Sequence, residues 1–243
     1  MYTIKRYEEI GSTNGELKRL AFLGAPSGTV LVADRQTAGR GRLGRAFFSP
    51  AGGGVYMSVL LRPVTLSDAG LITTFAAVAV ARVLRAHGVD TGIKWVNDIV
   101  SGGKKVCGIL VEGGVYDGQP FAVVGIGVNC KDTAFPSELA DIATSVEALT
   151  GVAPEPTALA DEILEALAEI DLASPRDPAA LMDEYRSYSV TLGRAVRVYP
   201  HADEPYDGTA ETINDDGTLA VRRTDGTLVT VSSGEVSIRP LAQ

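Results

Sequence analysis

The chain has 243 residues, 45% of them hydrophobic, enough to fill one large domain or a main domain with an appendage. With 30 acidic against 22 basic side chains and a net charge of −8, a general nucleic-acid or anionic-membrane surface is excluded. Cys107 and Cys130, each inside an apolar strand-like segment, match small core residues rather than a disulfide framework or a metal site.

In chain order, the first eleven residues carry Lys5, Arg6, Glu8 and Glu9, so no secretory leader is expected. Unbroken apolar runs such as 75–81 and 121–128 stop well short of the ~18 residues that cross a bilayer, and a cytoplasmic protein without membrane contact is the expectation. Ser12 or Thr13 caps a short helix that places Leu17, Leu20 and Ala21 on one face and stops at Gly24. Residues 29–33 read as a buried strand. Across residues 35–67 there is no Asp or Glu, where an even spread would put about four, while Arg35, Arg40, Arg42, Arg45 and Arg62 fall there. Any anion would be met by this local cluster.

Residues 55–61 predict another strand, and Ser67 caps a long helix that ends at Gly88 with Arg85 and His87 in its last turn. Residues 105–111 and 121–128 predict neighbouring strands joined around Asp117-Gly118, a dipeptide that tolerates the positive φ of a hairpin turn. Helical spacing of Leu159, Ile163, Leu164 and Leu167 predicts a helix over 156–170, and Asp177-Pro178 supplies the N-cap and first position of the next. Beyond Tyr188 short alternating runs (195–199, 209–213, 219–222, 228–231, 236–238) are punctuated by Asp-Gly at 207, 216 and 225. Five such strands predict a small barrel, since closure removes exposed strand edges. The boundary is expected near Ser189, giving domains 1–188 and 189–243.

Gly39-Arg40-Gly41-Arg42-Leu43-Gly44 fits the G-x-G-x-x-G pattern. The context of a dinucleotide turn is wrong, because Pro50 and three glycines follow where a helix should, and no acidic residue stands about twenty positions on. The order of a P-loop is missing too. Glycines let backbone approach a ligand and guanidinium groups chelate phosphate or carboxylate, so Arg40, Arg42 and Arg45 suit an acyl-phosphate anion, against the alternative of a solvated loop. Lys94-Trp95-Val96-Asn97-Asp98 and Lys104-Lys105 bring opposite charges within reach of one site, although each is also an ordinary turn or strand end. The glycines of Gly125-Ile126-Gly127-Val128-Asn129 could mark a bulge, close packing or a backbone that approaches a ligand.

Taken together, Ser12-Thr13-Asn14, Gln36 with the 39–45 loop, Lys94 to Asp98, Lys104 to Glu112 and Gly125 to Asn129 resemble the biotin–protein ligases, in order and over nearly the whole chain. The resemblance implies an α+β fold, with a mixed-sheet catalytic domain of the biotin/lipoate ligase type and a small C-terminal SH3-like β-barrel. It implies that biotin and ATP form biotinyl-5′-AMP, with Mg²⁺ bound mainly through the phosphates, and that biotin passes to a lysine of a biotin carboxyl carrier protein. Ser12, Thr13, Asn14, Gln36, Gly39, Arg40, Arg42, Lys105 and Gly108 would hold biotin. Arg40, Arg42, Arg45, Phe47, Asn97, Lys105 and Asn129 would line the nucleotide side, with Lys105, Arg42 and Asp98 at the reacting centre. The Ser-Thr-Asn motif begins at residue 12, so neither a DNA-reading domain nor repressor function is expected; a homodimer is compatible with the reading. Two departures stand out: the family usually has proline where Val96 is, and often tryptophan where Phe47 is.

The nearest rival is a lipoate ligase or octanoyl transferase of the same fold. The transferase branch uses a cysteine nucleophile, and simple strand alternation puts Cys107 on the same face as Lys105. A non-catalytic nucleic-acid module is opposed by the acidic whole and the lack of an aromatic-rich basic face.

Overall fold

The computed structural model describes residues 2–64, 69–133, 135–200, 204–232 and 236–240. Seven strands build the main sheet: β1 (Thr3–Ile10), β2 (Thr29–Gln36), β3 (Gly54–Leu61), β4 (Gly92–Lys94), β5 (Asp98–Ser101), β6 (Lys104–Tyr116) and β7 (Gln119–Asn129). Their spatial order is β1-β2-β3-β7-β6-β5-β4, with β1 and β2 parallel and every other neighbouring pair antiparallel. The long β6–β7 ladder closes with Tyr116 opposite Gln119, and Asp117 (φ 49°) and Gly118 (φ 71°) form the two-residue turn. Positive φ at both central positions is what a hairpin turn of matching twist requires.

Both faces of this sheet are covered, which explains why β3 is buried along its whole length. Helix α1 (Thr13–Ala21) lies on one face, where Leu17 and Ala21 pack with Leu31, Leu60, Phe121 and Val123. On the other face lie α2 (Ala69–Ala86), α4 (Pro156–Ile170) and α5 (Pro178–Tyr188); a short α3 (Val146–Thr150) precedes α4. Asp177 accepts from the Ala180 amide at the start of α5, with Pro178 at the first helical position, where its missing N–H costs nothing. The proposed Ser67 cap of α2 lies outside the described residues.

Helix α2 is the longest apolar element among the described helices. It is long and apolar enough by length and composition to cross a membrane, although no unbroken apolar run of that length exists, because Thr73, Thr74 and Arg82 interrupt it. In the fold 67% of it is buried, and Arg82 pairs with Glu184 of α5; it is the central core helix.

The chain ends in a second, antiparallel sheet: β8 (Ala195–Pro200), β9 (Tyr206–Ile213), β10 (Leu219–Arg223), β11 (Leu228–Val231) and β12 (Val236–Pro240), in the order β11-β10-β9-β8-β12. Among the described residues no ladder joins β11 to β12, so hydrogen bonds between strands do not close the sheet there. Val196, Val198, Ala210, Ile213, Leu219 and Val221 continue the core of the main sheet rather than forming a separate one. Polar contacts reinforce that join. The Trp95 indole Nε1 donates to the Gly217 carbonyl at 3.0 Å, the Trp95 amide donates to Thr191 Oγ1 at 2.9 Å, and Arg186 Nε donates to the Ile213 carbonyl at 2.7 Å.

Tyr185 is fully buried and its hydroxyl donates to the Val96 carbonyl at 3.0 Å. Tyr185→Phe should therefore lower the unfolding free energy by about 1–2 kcal/mol by leaving a buried acceptor unpaired; a denaturation curve that matches wild type would show that this carbonyl finds another donor.

Candidate functional site

The site is built on cross-strand rows of the α1 face. In one row Tyr56 of β3, Gly127 of β7 and Gly108 of β6 stand side by side; in the next stand Ser58, Gly125 and Leu110. The glycines leave room for two side chains to lie against the sheet. A Cβ on Gly127 would come within 2.5 Å of the Phe47 ring, and one on Gly125 within 2.2 Å of Asn14 Oδ1. Close packing is therefore the reason for both glycines, among the alternatives the sequence left open.

Asn14, on the first turn of α1, is held from every side. Its Nδ2 donates to the Leu110 carbonyl at 3.2 Å and to Glu112 Oε2 at 3.1 Å, while Ser58 Oγ donates to its Oδ1 at 2.6 Å. Ser12 caps α1 by accepting from the Gly15 amide. The Thr13 amide and hydroxyl both donate to Gln36 Oε1, at 2.8 and 3.1 Å, and Gln36 Nε2 donates to Ser49 Oγ at 3.0 Å. Asn14, Thr13 and Ser58 are buried, so this polar network is ordered in place.

The 39–45 loop crosses in front of these rows. Its base is a two-strand stem, with Phe47 N donating to the Gly39 carbonyl and Gly41 N to the Arg45 carbonyl. Gly39 is required there, since a Cβ would lie 2.4 Å from the Phe47 carbonyl oxygen. At the tip Leu43 (φ 56°) and Gly44 (φ 73°) turn the chain back. Arg42 Nη1 donates to Asn97 Oδ1 at 3.0 Å, and burial holds the Arg42 guanidinium below its ordinary value against the opposing pull of Asp98. Arg40 reaches the other way, to Glu112 Oε1 at 3.2 Å.

Asn97 is pinned to β6: its Nδ2 donates to the Ile109 carbonyl and its own carbonyl accepts from the Ile109 amide, both at 3.0 Å. That fixes Asp98, whose Oδ1 lies 2.7 Å from Lys105 Nζ. Lys105 Nζ also sits 5.8 Å from the centre of the Phe47 ring, within cation–π range.

Two cavities meet at this point. One, of about 430 Å³ including open solvent, is lined by Ser12, Thr13, Asn14, Gln36, Arg40, Gly108 and the apolar Met57, Ile109, Leu110 and Ile126. The other is a wider cleft, about 1730 Å³ including open solvent, lined by Arg45, Lys94, Trp95, Asp98, Asn129, Phe135, Leu139, Ile142 and Ala143 among others. Gly41, Arg42, Phe47, Asn97 and Lys105 line both and form the wall between them. Of the residues to which the resemblance gives a binding or catalytic role, Gly39 alone lies on neither lining, and Arg35, Arg62 and Lys104 of the basic groups also lie off both. Asn129 lines the cleft while its Nδ2 donates to the Thr144 carbonyl at 3.0 Å. Among the described residues no three His, Cys, Asp or Glu side chains gather as a metal site.

Sequence reasoning missed several participants. Ser58 reads as one polar residue in a strand. Segment 135–143 has no periodicity, yet its backbone pairs with Lys105: Lys105 N donates to the Ile142 carbonyl, and Thr144 N to the Lys105 carbonyl.

One expectation is overturned. Cys107 does not share a face with Lys105, because a bulge opposite Ile99 and Val100 shifts the register between residues 105 and 107. Lys105 turns over Gly108 toward the cavities, whereas Cys107 is fully buried in the core on the helix-rich face. Burial pushes its thiol above the ordinary value, which disfavours a thiolate nucleophile there.

The chain matches known family models and proteins. Residues 8–129 match the family model described as the biotin/lipoate A/B protein ligase family, and residues 191–239 match that of the biotin protein ligase C terminal domain. The chain is 35% identical over 235 residues to the biotin–[acetyl-CoA-carboxylase] ligase of Mycobacterium tuberculosis, covering 94% of this chain and 86% of that one. It is 36% identical over 228 residues to the bifunctional ligase/repressor BirA of Bacillus subtilis, covering 90% and 69% respectively. Among solved structures, the biotin protein ligase of Aquifex aeolicus in complex with biotin and ATP superposes with a TM-score of 0.82 at 27% identity, over 99% of this chain and 100% of that one.

Two outcomes follow from the packing. Gly127→Ala should destabilise the fold by about 1–3 kcal/mol through forced displacement of the Phe47 ring, measured by chemical denaturation; an unchanged midpoint would mean that the ring moves freely. Cys107 should resist alkylation in the native protein at pH 7 and react once the protein is denatured, and rapid native labelling would contradict its placement in the core.

Proposed function

The chain belongs to the biotin/lipoate A/B protein ligase family, and from this premise we propose that it is an ATP-dependent biotin–protein ligase whose chemistry occurs at the wall between the two cavities. The observation that carries the reading is that wall: one lysine and one arginine, Lys105 and Arg42, face both spaces at once. An enzyme that joins a carboxylate to the α-phosphorus of ATP has to bring two anions together, and fixed cations at their meeting point stabilise the charge that builds on the phosphate oxygens.

In this reading biotin occupies the smaller cavity. Its ureido group, with one acceptor oxygen and two N–H donors, suits the Thr13, Asn14 and Gln36 end. The thiophane ring and aliphatic chain suit Met57, Ile109 and Ile126, and the carboxylate points at Lys105. ATP occupies the cleft, with Arg45, Asn97 and Asn129 on its lining. Attack of the biotin carboxylate oxygen on the α-phosphorus breaks the bond to pyrophosphate and leaves biotinyl-5′-AMP. The ε-amine of a carrier lysine then attacks the acyl carbon, and AMP departs.

Asp98, 2.7 Å from Lys105, first orients that cation and then orients the carrier lysine or accepts its proton. Phe47 packs against Gly108 and Gly127 and seals the wall, which keeps water from the mixed anhydride. The metal in this scheme is Mg²⁺ carried on the nucleotide phosphates, where it would neutralise charge on the leaving pyrophosphate. Residues 1–188 would carry the chemistry, and residues 189–243 would act on it through the Trp95 and Gly217 contact. The acceptor is a biotin carboxyl carrier domain and the compartment the cytoplasm, where ATP is supplied and buried free thiols such as Cys107 and Cys130 persist.

Incorporation of labelled biotin into a purified carrier domain with MgATP tests this reading, with lipoate run in parallel. Biotin should transfer and lipoate should not. Lys105→Ala should reduce the rate by 10²–10³, roughly the ~2.7–4 kcal/mol that one preorganised charge contact supplies. Transfer of lipoate alone would keep the fold and replace the substrate, and undiminished transfer by the variant would remove Lys105 from the reacting centre.

A further inference from the structure

Glu112 of β6 lies on neither cavity lining and is not needed by the chemistry above, yet it is held by more groups than any other acidic side chain near the site. It is 15% exposed, and three donors converge on it: Asn14 Nδ2 on Oε2 at 3.1 Å, with Arg40 Nη2 and Lys18 Nζ on Oε1 at 3.2 and 3.7 Å. It stands one row beyond Leu110 on the same strand face, beside Val123 of β7, so the rigid sheet fixes its position.

The 39–45 loop is fastened at two points on opposite sides of the smaller cavity. Arg42 is bonded to Asn97 on the β4–β5 side and Arg40 to Glu112 on the α1 side. Only Gly41 separates the two arginines, and the tip beyond them is exposed at Leu43. The Glu112 contact therefore holds the stem of the loop, and the Asn97 contact holds the side next to its tip.

Building on the biotin-ligase reading, we propose that Glu112 is a positioning residue: it clamps the Arg40 end of the loop over the smaller cavity and, through Asn14, ties that clamp to the wall that meets the biotin ring. The carboxylate touches no reacting atom. Its effect is on how long the adenylate is retained rather than on how fast it forms. An ordinary solvated ion pair would have neither the shared Asn14 bond nor an acid anchored on the β6–β7 ladder. Loss of a half-exposed pair of this kind, worth ~1 kcal/mol, corresponds to about fivefold in a rate.

The test uses the whole protein with biotin and MgATP and no carrier, following release of radiolabelled biotinyl-5′-AMP after a chase with unlabelled biotin. Glu112→Gln keeps the shape and the Asn14 bond and removes the charge. It should raise release about fivefold while the rate of adenylate formation holds. Arg40→Gln should raise release by the same factor, and the double variant by no more than either single one, because both act through one contact. Lys18→Gln should leave release unchanged. Unchanged release in Glu112→Gln, or effects of the two single variants that multiply, would overturn the clamp. Should Glu112→Gln lose its fold by circular dichroism, Glu112→Asp decides in its place, because it keeps the charge and shortens the reach to Arg40, and wild-type release from it overturns the proposal. Wild-type protein that forms no adenylate would instead refute the biotin-ligase reading on which the clamp rests.

Discussion

The site depends on side chains that are absent. Gly108, Gly125 and Gly127 clear a strip of the α1 face of the sheet, and Asn14 and Phe47 occupy it. With a methyl group at 125 or 127, Asn14 would lose its seat between Ser58 and Leu110, or Phe47 would lift from the wall between the cavities. Everything charged follows from that contact: the loop base is set by Gly39 under the Phe47 carbonyl, the loop then carries Arg40 and Arg42 outward, and Lys105 lies over Gly108 beside the ring. Interiors pack too densely to absorb a misplaced ring without moving its neighbours.

Much of this was legible in the sequence because local chemistry and tertiary structure agree. Helix α4 begins and ends where Leu159, Ile163, Leu164 and Leu167 place it, α5 begins at Asp177-Pro178, and Asp117-Gly118 makes the two-residue turn. Of the charged residues grouped by sequence, Arg40, Arg42, Arg45, Lys94, Asp98 and Lys105 do meet at the two cavities, whereas Arg35 pairs with Glu9, Arg62 bonds the Ala21 carbonyl and Lys104 bonds the Ala140 carbonyl, away from both linings. Elements without periodic burial were not legible. Strand β1 is almost entirely exposed, so no alternation marks it, and it is defined only by its parallel pairing with β2. Segment 135–143 owes its place to the Lys105 backbone, a contact that no local pattern encodes.

The Cys107 correction shows a different limit. Alternation along a strand predicts which residues share a face only while the register holds, and one bulge reverses every assignment beyond it. Here the bulge falls between a lysine that lines both cavities and a core cysteine. It turns two neighbours that looked like a catalytic pair into a cation facing the ligand spaces and an inert thiol in the core.

The join between the two sheets bears on the gene as well as on the protein. Trp95 donates its indole N–H to Gly217 and its amide to Thr191, and both acceptors belong to the C-terminal part of the chain. A nonsense or frameshift mutation after Ser189 would leave both donors buried without acceptors, two residues from Asn97, and strip the core of Val196, Val198 and Ile213. Truncation alleles late in the reading frame should therefore behave as nulls rather than as milder forms. The boundary that is easy to draw along the sequence does not mark a separable unit of stability.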